Sequence, residues 1–394
     1  MIVLHIIQYI LMIYLGLSTL YILLFGFAGL FPWKLKLREA AMQRKFAVMI
    51  PGYKEDEVIL EVAEDATHQN YPGEKFDVIV IADSFKEETL EDLRKLPIKL
   101  IEVSFDKSTK AKALNKAMSQ LPDDYDVAVV LDADNLMEKD FLLKMNLAFE
   151  SGHYAVQGHR MAKNTNNSFA ILDAVSEEIN NNIFRKGHRV LGLSAAIIGS
   201  GMGIKYDYFK TLMKSIHAVG GFDKEIELKM LKERKMIDYL NHAYVLDEKV
   251  QKADVFSNQR RRWLSAQLHY FSKDFSTALW HLISRGNIDY FDKAIQFIQP
   301  PRIMLLGFLL IISLLSVIFN PLHLTYAWLA ILGACILAFL FSIPARFYNN
   351  KTLAAVLTLP KGFILMLFSL LRIKGANKKF IHTQHSSTKK ESSN

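Results

Sequence analysis

Cysteine is almost absent from the 394-residue chain: Cys335 is the single one. It can form no intrachain disulfide, and a cysteine-built metal centre is excluded. No Gly-x-Gly-x-x-Gly follows an apolar run, so a dinucleotide fold lacks its glycines. No Gly-x-x-x-x-Gly-Lys-Ser/Thr is present for a P-loop. Charge is missing from two long stretches. Met1 to Trp33 contains no Asp, Glu, Lys or Arg, and neither does Ile303 to Ala345. At about 20 residues per span, the first has room for one membrane crossing and the second for two. Basic residues crowd the borders: Lys34, Lys36, Arg38, Arg44 and Lys45 after the first stretch, then Arg372, Lys374, Lys378 and Lys379. Basic flanks mark the inner side of spans. The net charge of +8 is therefore assigned to topology, not to nucleic-acid binding. No positive charge precedes the first stretch, and its apolar run is too long for a cleaved signal. It reads as a retained anchor of an integral protein of the inner or plasma membrane, with Lys34 to Arg302 in the cytoplasm.

What the chain does contain is organised around Val127-Ala-Val-Val-Leu-Asp132-Ala-Asp134-Asn135. Five apolar residues without a break read as a buried strand of a parallel sheet. Ligands on such sheets sit at the carboxyl ends of the strands. If strand geometry persists, Asp132 and Asp134 share a face. Two hard oxygen donors suit Mg²⁺ or Mn²⁺ bound together with substrate phosphates. The plain alternative is a strand followed by an acidic turn.

Upstream, Phe46 to Ile50 is an expected strand, stopped by Pro51-Gly52. A helix over 55–69, a strand over 76–83, a helix over 86–96, a strand over 98–103 and a helix from Lys110 follow. This alternation predicts βαβ units and a parallel sheet. Downstream come a strand over 153–159 and a helix over 168–186. Ile197 to Gly203 reads as an apolar strand running into glycines, which allow backbone to approach a ligand closely. A helix opens after Gly220-Gly221, with Asp223 as its N-cap and Glu225 and Glu227 in its first turn. A short strand spans 244–248. Gln259, Arg262 and Trp263 share one helix face, and Arg suits bidentate phosphate contacts. Residues 277–300 suit interfacial helices. Leu353 to Leu371 is apolar but interrupted by Pro360-Lys361 and bounded by positive charge, so it dips in or lies flat.

In order and spacing, these pieces resemble the membrane-integrated, inverting family 2 glycosyltransferases. That group includes the catalytic subunits of bacterial cellulose, poly-N-acetylglucosamine and hyaluronan synthases, and ceramide glucosyltransferase. The resemblance implies a GT-A (Rossmann-like, α/β) domain and a UDP-sugar donor. Pro51-Gly-Tyr53-Lys-Glu55 and Asp83 would contact uridine, and Lys110 in Lys110-Ala-Lys-Ala-Leu-Asn115 would contact the nucleotide. Asp132-Ala-Asp134 would hold the metal on the diphosphate, with Asp134 the direct ligand and Asp132 supporting the ribose or the metal's water. Gly199-Ser200-Gly201-Met202 would wall the acceptor. In Gln259-Arg-Arg-Arg262-Trp263, Arg262 would face the diphosphate, and Gln259 and Trp263 the acceptor. The general base would be Glu225, standing where the family has Asp; Asp223 is the rival. Phe380 and Thr383 resemble a gating segment.

The expected layout is an anchor over 1–33, a catalytic domain over 34–276 and interfacial helices over 277–302. Two spans follow over 303–345, then an interfacial or third carboxyl-terminal membrane helix over 346–379 and a tail over 380–394. The expected activity is inverting, metal-dependent sugar transfer to a hydroxyl at the membrane, building a β-linked polysaccharide with export through partner proteins. Single-sugar transfer to a membrane lipid and a non-catalytic scaffold are the alternatives.

Overall fold

The computed structural model of the chain describes residues 2–37, 41–218, 220–249 and 253–371. Phe380 and Thr383 lie outside them. Among the described residues, eight strands form one sheet: β1 (Phe46–Tyr53), β2 (Phe76–Asp83), β3 (Lys99–Val103), β4 (Val127–Val130), β5 (Leu136–Met137), β6 (Ala155–Ala162), β7 (Met202–Lys205) and β8 (Ile237–Asp247). Their order is β3-β2-β1-β4-β7-β6-β8-β5. The first four in space are mutually parallel. β7 runs antiparallel to β4 and to β6, while β6 and β8 are again parallel.

The unbroken apolar runs follow from burial on both faces. Ala47, Met49, Ile79, Ile81, Ala128 and Val130 pack against the helices Lys110–Gln120 and Phe222–Lys232. Their alternates Phe46, Val48, Ile50, Val78, Val80, Val127 and Val129 pack against the helices Ile59–Thr67 and Phe141–Glu150. β1, β2 and β4 therefore end on one edge of the sheet, with Asp83 and the Asp132–Asp134 segment there.

Several local expectations are corrected. β1 does not stop at Pro51-Gly52 but runs to Tyr53. The Met49 carbonyl accepts from Leu131 N–H, so Met49 faces β4, and Pro51, two residues on, faces the same way. β4 pairing ends at Met49 with Val130, so no donor is needed from Pro51. Around Ile197 the order of strand and glycines is reversed. Gly199 (φ 76°) and Gly201 (φ 63°) hold left-handed backbone that breaks extension, and the strand begins after them at Met202. The short strand over 244–248 is the end of the eleven-residue β8. The helix after Gly220 is capped by Gly221, itself left-handed, and Asp223 lies inside the first turn.

The helix expected over 168–186 is α-helical only for Ser168–Asn180 and widens to a π-helix over Asn181–Gly187. There Arg185 reaches back to Asn181 Oδ1 and to Glu177. A Cβ on Gly187 would stand 2.1 Å from the carbonyl oxygen of Phe25, so only glycine allows this backbone contact. Phe25 belongs to the amino-terminal helix Ile2–Ala28. Leu15, Ile22 and Phe25 join Ile171, Val175, Ile179 and Ile183, with Leu305, Leu309, Trp328 and Cys335, in one apolar cluster.

Among the described residues, three helices are long and apolar enough to cross a membrane: His5–Ala28, Arg302–Phe319 and Leu322–Ser342. The pair Asn350–Val356 and Leu359–Leu371 would make a fourth if its 45° bend is one broken span. Pro360 sits in the first turn of the second member, where a missing N–H is tolerated. Residues 276 and 277 lie inside one 33-residue helix, Ala253–Arg285, followed by Ile288–Gln296. The Gln259–Trp263 motif and the start of the expected interfacial region therefore share one rigid element.

Candidate active site

Strand geometry does not persist through Asp132 and Asp134. β4 ends at Val130, and the Asn135 N–H donates to the Asp132 carbonyl at 3.1 Å, closing a turn. Side chains brace that turn. The Asp132 N–H donates to Ser200 Oγ at 2.9 Å, and Ser200 Oγ donates to Asn135 Oδ1. Asn135 Nδ2 donates to Asp134 Oδ1 and to Asp247 Oδ1, each at 3.0 Å. Asp134 is buried, and the Asp132 side chain is 36% exposed. The two acids are thus presented differently, one wedged and one open.

Lys110 opens its helix beside Asp132. Its ammonium pairs with the Asp132 carboxylate, donates to the Gly199 carbonyl at 2.8 Å and lies 5.0 Å from the Phe222 ring centre. A Cβ on Gly199 would meet Phe222 at 2.9 Å and Asp223 Cβ at 3.4 Å. Asp223 therefore stands beside Gly199, whose carbonyl accepts from Lys110. Glu225 lies about 200° round the same helix, at 100° per residue. Its carboxylate faces Lys229 at 3.5 Å and Lys273 at 3.6 Å. Of the two rival bases, Asp223 is the one packed beside Gly199, and its own carboxylate faces Lys224 at 3.6 Å.

Gly199, Ser200, Gly201 and Met202 are all buried. Gln157 clamps the segment, donating to the Ser200 carbonyl at 2.9 Å and accepting from Ile198 N–H at 3.1 Å. In this conformation the segment is buried and backs the acidic turn.

At the neighbouring strand ends, Tyr53 and Asp83 are register partners. Asp83 is buried, and its carboxylate accepts from Ser84 Oγ at 2.9 Å. Lys54 (φ 55°) and Ser84 (φ 59°) are both left-handed without being glycine. Such residues cost about 1–3 kcal/mol each and cluster at ligand sites. Glu55 follows Lys54, and Phe85 packs over Gly52.

Ala266 and Tyr270 of the long helix pack on Gly221, at 3.2 and 3.3 Å from its added Cβ. Gln259, Arg262 and Trp263 precede Ala266 by seven, four and three residues, on the same face. The motif therefore sits one to two turns from the start of the Asp223 helix. Burial pushes the Arg262 guanidinium below its usual value. Trp263 is at the surface and carries the Arg260 guanidinium 4.4 Å from its ring centre. Burial, then the charges of Glu225 and Asp223, raise the Tyr270 phenol.

Among the described residues, no group of three or more His, Cys, Asp or Glu is placed to hold a metal ion. Asp132 and Asp134 alone fit Mg²⁺ or Mn²⁺ sharing its shell with a diphosphate and water, and do not fit an all-protein cage. Sequence reasoning missed Asn135, Gln157 and Asp247, which shape the turn without carrying charge to its mouth. The Asn that follows Asp-x-Asp was the one available signal.

Residues 43–266 match the model of the family described as glycosyltransferase like family 2. A stretch of 115 residues, 28% of this chain, is 26% identical to the poly(ribitol-phosphate) beta-N-acetylglucosaminyltransferase TarS of Staphylococcus aureus; it spans only 20% of that protein. The mannosyltransferase PcManGT from Pyrobaculum calidifontis, solved with GDP-Man and Mn²⁺, is similar over 89% of this chain and 99% of its own, with a TM-score of 0.50 and 15% identity. Glucosyl-3-phosphoglycerate synthase from Mycobacterium tuberculosis is similar over 61% of this chain and 83% of its own, with 14% identity and a TM-score of 0.42. At 15% identity, the likeness to the mannosyltransferase speaks for the fold, and the sheet agrees with it: the domain is GT-A. The family match covers more than half of the residues, and the chain belongs to the glycosyltransferase-like family 2.

Proposed function

We propose that the chain transfers a sugar from a UDP-sugar to an acceptor hydroxyl at a membrane, with inversion at the sugar carbon. The observation that carries this reading is the convergence of Lys110, Asp132, Gly199 and Asp223 at the carboxyl edge of β4. Asp83 and Tyr53 at the adjacent strand ends would take the uridine. Asp134 and Asp132 would hold Mg²⁺ or Mn²⁺, which supplies charge neutralisation on the diphosphate when bound. The activity for which TarS is named, β-N-acetylglucosaminyl transfer to poly(ribitol-phosphate), supports a β-linked product and a polymeric acceptor.

The chemistry then divides among the chain's own residues. Asp223 takes the proton from the acceptor hydroxyl. The freed oxygen pair forms a bond to the anomeric carbon as the bond from that carbon to the diphosphate oxygen breaks. The pair from the broken bond leaves with UDP, and Lys110 and Arg262 stabilise the charge that develops there. Glu225, turned toward Lys229 and Lys273, stays outside this step. The apolar helices would keep the chain in the membrane with its catalytic domain on the cytoplasmic side.

Detergent-purified chain incubated with a panel of UDP- and GDP-sugars should release nucleoside diphosphate from a UDP-sugar, with Mg²⁺ or Mn²⁺ and not with chelator. A ladder of products follows from a growing polysaccharide, and one lipid-extractable product from a lipid acceptor. Release from no donor under any cation would sink the reading.

A further inference from the structure

The Asp247 carboxylate does more than accept from Asn135. It pairs with Lys249 at 2.6 Å and with Arg160 at 3.6 Å. Arg160 and Lys249 both face Glu177, at 2.9 and 3.8 Å, and Arg185 closes on Glu177 at 3.1 Å. Glu177, Arg185 and Lys249 are buried, and the Arg160 and Asp247 side chains are 12% and 13% exposed. Two carboxylates and three cations thus form one network under the acidic turn. It meets that turn at the Asn135 amide, whose two donors go to Asp134 and Asp247. Asn135 cannot rotate to serve one without losing the other. Through that amide the ionic network bears on the Asp134 carboxylate. It also bears on the Asp132 backbone, through Ser200.

We propose that Asn135 and Asp247 are positioning residues for the cation held by Asp134, with the Glu177 network as their fixed support. This rests on the reading that Asp134 and Asp132 bind a divalent cation. Groups that orient a metal ligand are expected to change metal affinity about 10–100-fold when removed.

The test is Mn²⁺ titration of the full-length detergent-purified chain, followed by electron paramagnetic resonance without donor. Asn135→Ala cuts the link and leaves every ion pair in place. Asp247→Ala removes the anchor, and Asp247→Asn keeps an acceptor for Asn135. The expected result is a Mn²⁺ affinity lower by about tenfold or more in Asn135→Ala and Asp247→Ala, with recovery toward wild type in Asp247→Asn. The double variant should be no weaker than either single one, since both cut the same link. Thermal midpoints are read alongside; Asn135→Ala is expected to stay near wild type and keeps the test valid if Asp247→Ala fails to fold. Wild-type affinity in Asn135→Ala overturns the proposal while leaving the cation reading intact. A wild-type chain that binds no Mn²⁺, with or without UDP, overturns both.

Discussion

The two halves of the catalytic sheet are built by different means. β1, β2 and β4 are buried on both faces by aliphatic side chains, with Phe46 to Ile50 wholly inaccessible. Among the described residues from 41 to 135, the buried charges are Asp83 and Asp134, both at the site. The half made of β6 and β8, with the helix Ser168–Asn180 over it, buries Glu177, Glu178, Arg185, Asp238 and Lys249. Apolar burial is non-directional and tolerates small shifts. Buried ion pairs are directional, and each needs its partner in place. The two halves divide the labour: the first supplies a stable platform with open strand ends, and the second braces the acidic turn.

The charged half depends most on Glu177, which pairs with Arg160, Arg185 and Lys249. Glu177→Ala leaves Arg160, Arg185 and Lys249 buried around an empty place. It should cost about 3–5 kcal/mol in unfolding free energy measured by denaturant titration. An effect under 1 kcal/mol would mean that the charged half is not held by its pairs. Next in size is the base. Asp223→Asn should lower kcat about a hundredfold or more, while Glu225→Gln keeps most of the activity. The reverse result would return the base to Glu225.

A smaller effect separates the halves by pH. Burial works against the Glu177 carboxylate, but Arg160, Lys249 and Arg185 hold it well below its usual 4.5. Asp247 is likewise lowered from its usual 3.8 by Arg160 and Lys249, against its burial. Folded values below unfolded ones give stability that is complete above about pH 4.5 and lost as pH falls through the folded values. The thermal midpoint should drop in that window, and Glu177→Gln should flatten the drop. The smallest effect belongs to the apolar half. Ile79→Val should cost about 0.5–1.5 kcal/mol, with little dependence on pH between 4 and 8.

The same division explains what the sequence disclosed. β2 was legible to the residue because an apolar run and a terminal Asp bound it on both sides. The Asp-x-Asp segment was legible because charge at a strand end stands out against its surroundings, whereas Lys110 was singled out only by the family resemblance of its segment. β8 was not, since Asp238, Asn241 and His242 interrupt its hydrophobicity; Asp238 finds its partner in Arg189, at 2.8 Å and far away in sequence. Partners of that kind leave no periodic trace. The choice between Asp223 and Glu225 was equally closed, because it depends on which face of a helix meets Gly199. The π-helix was invisible because a wider turn keeps nearly the same pattern of apolar residues.

That π-helix ends at Gly187, where backbone meets the Phe25 carbonyl with no side chain between. A joint without side chains has no give. In a bilayer, a helix such as Ile2–Ala28 tilts to match the thickness of the lipid around it. Were Ile2–Ala28 seated in a lipid layer, any tilt it took would pass directly through this backbone contact to the helix Ser168–Asn180.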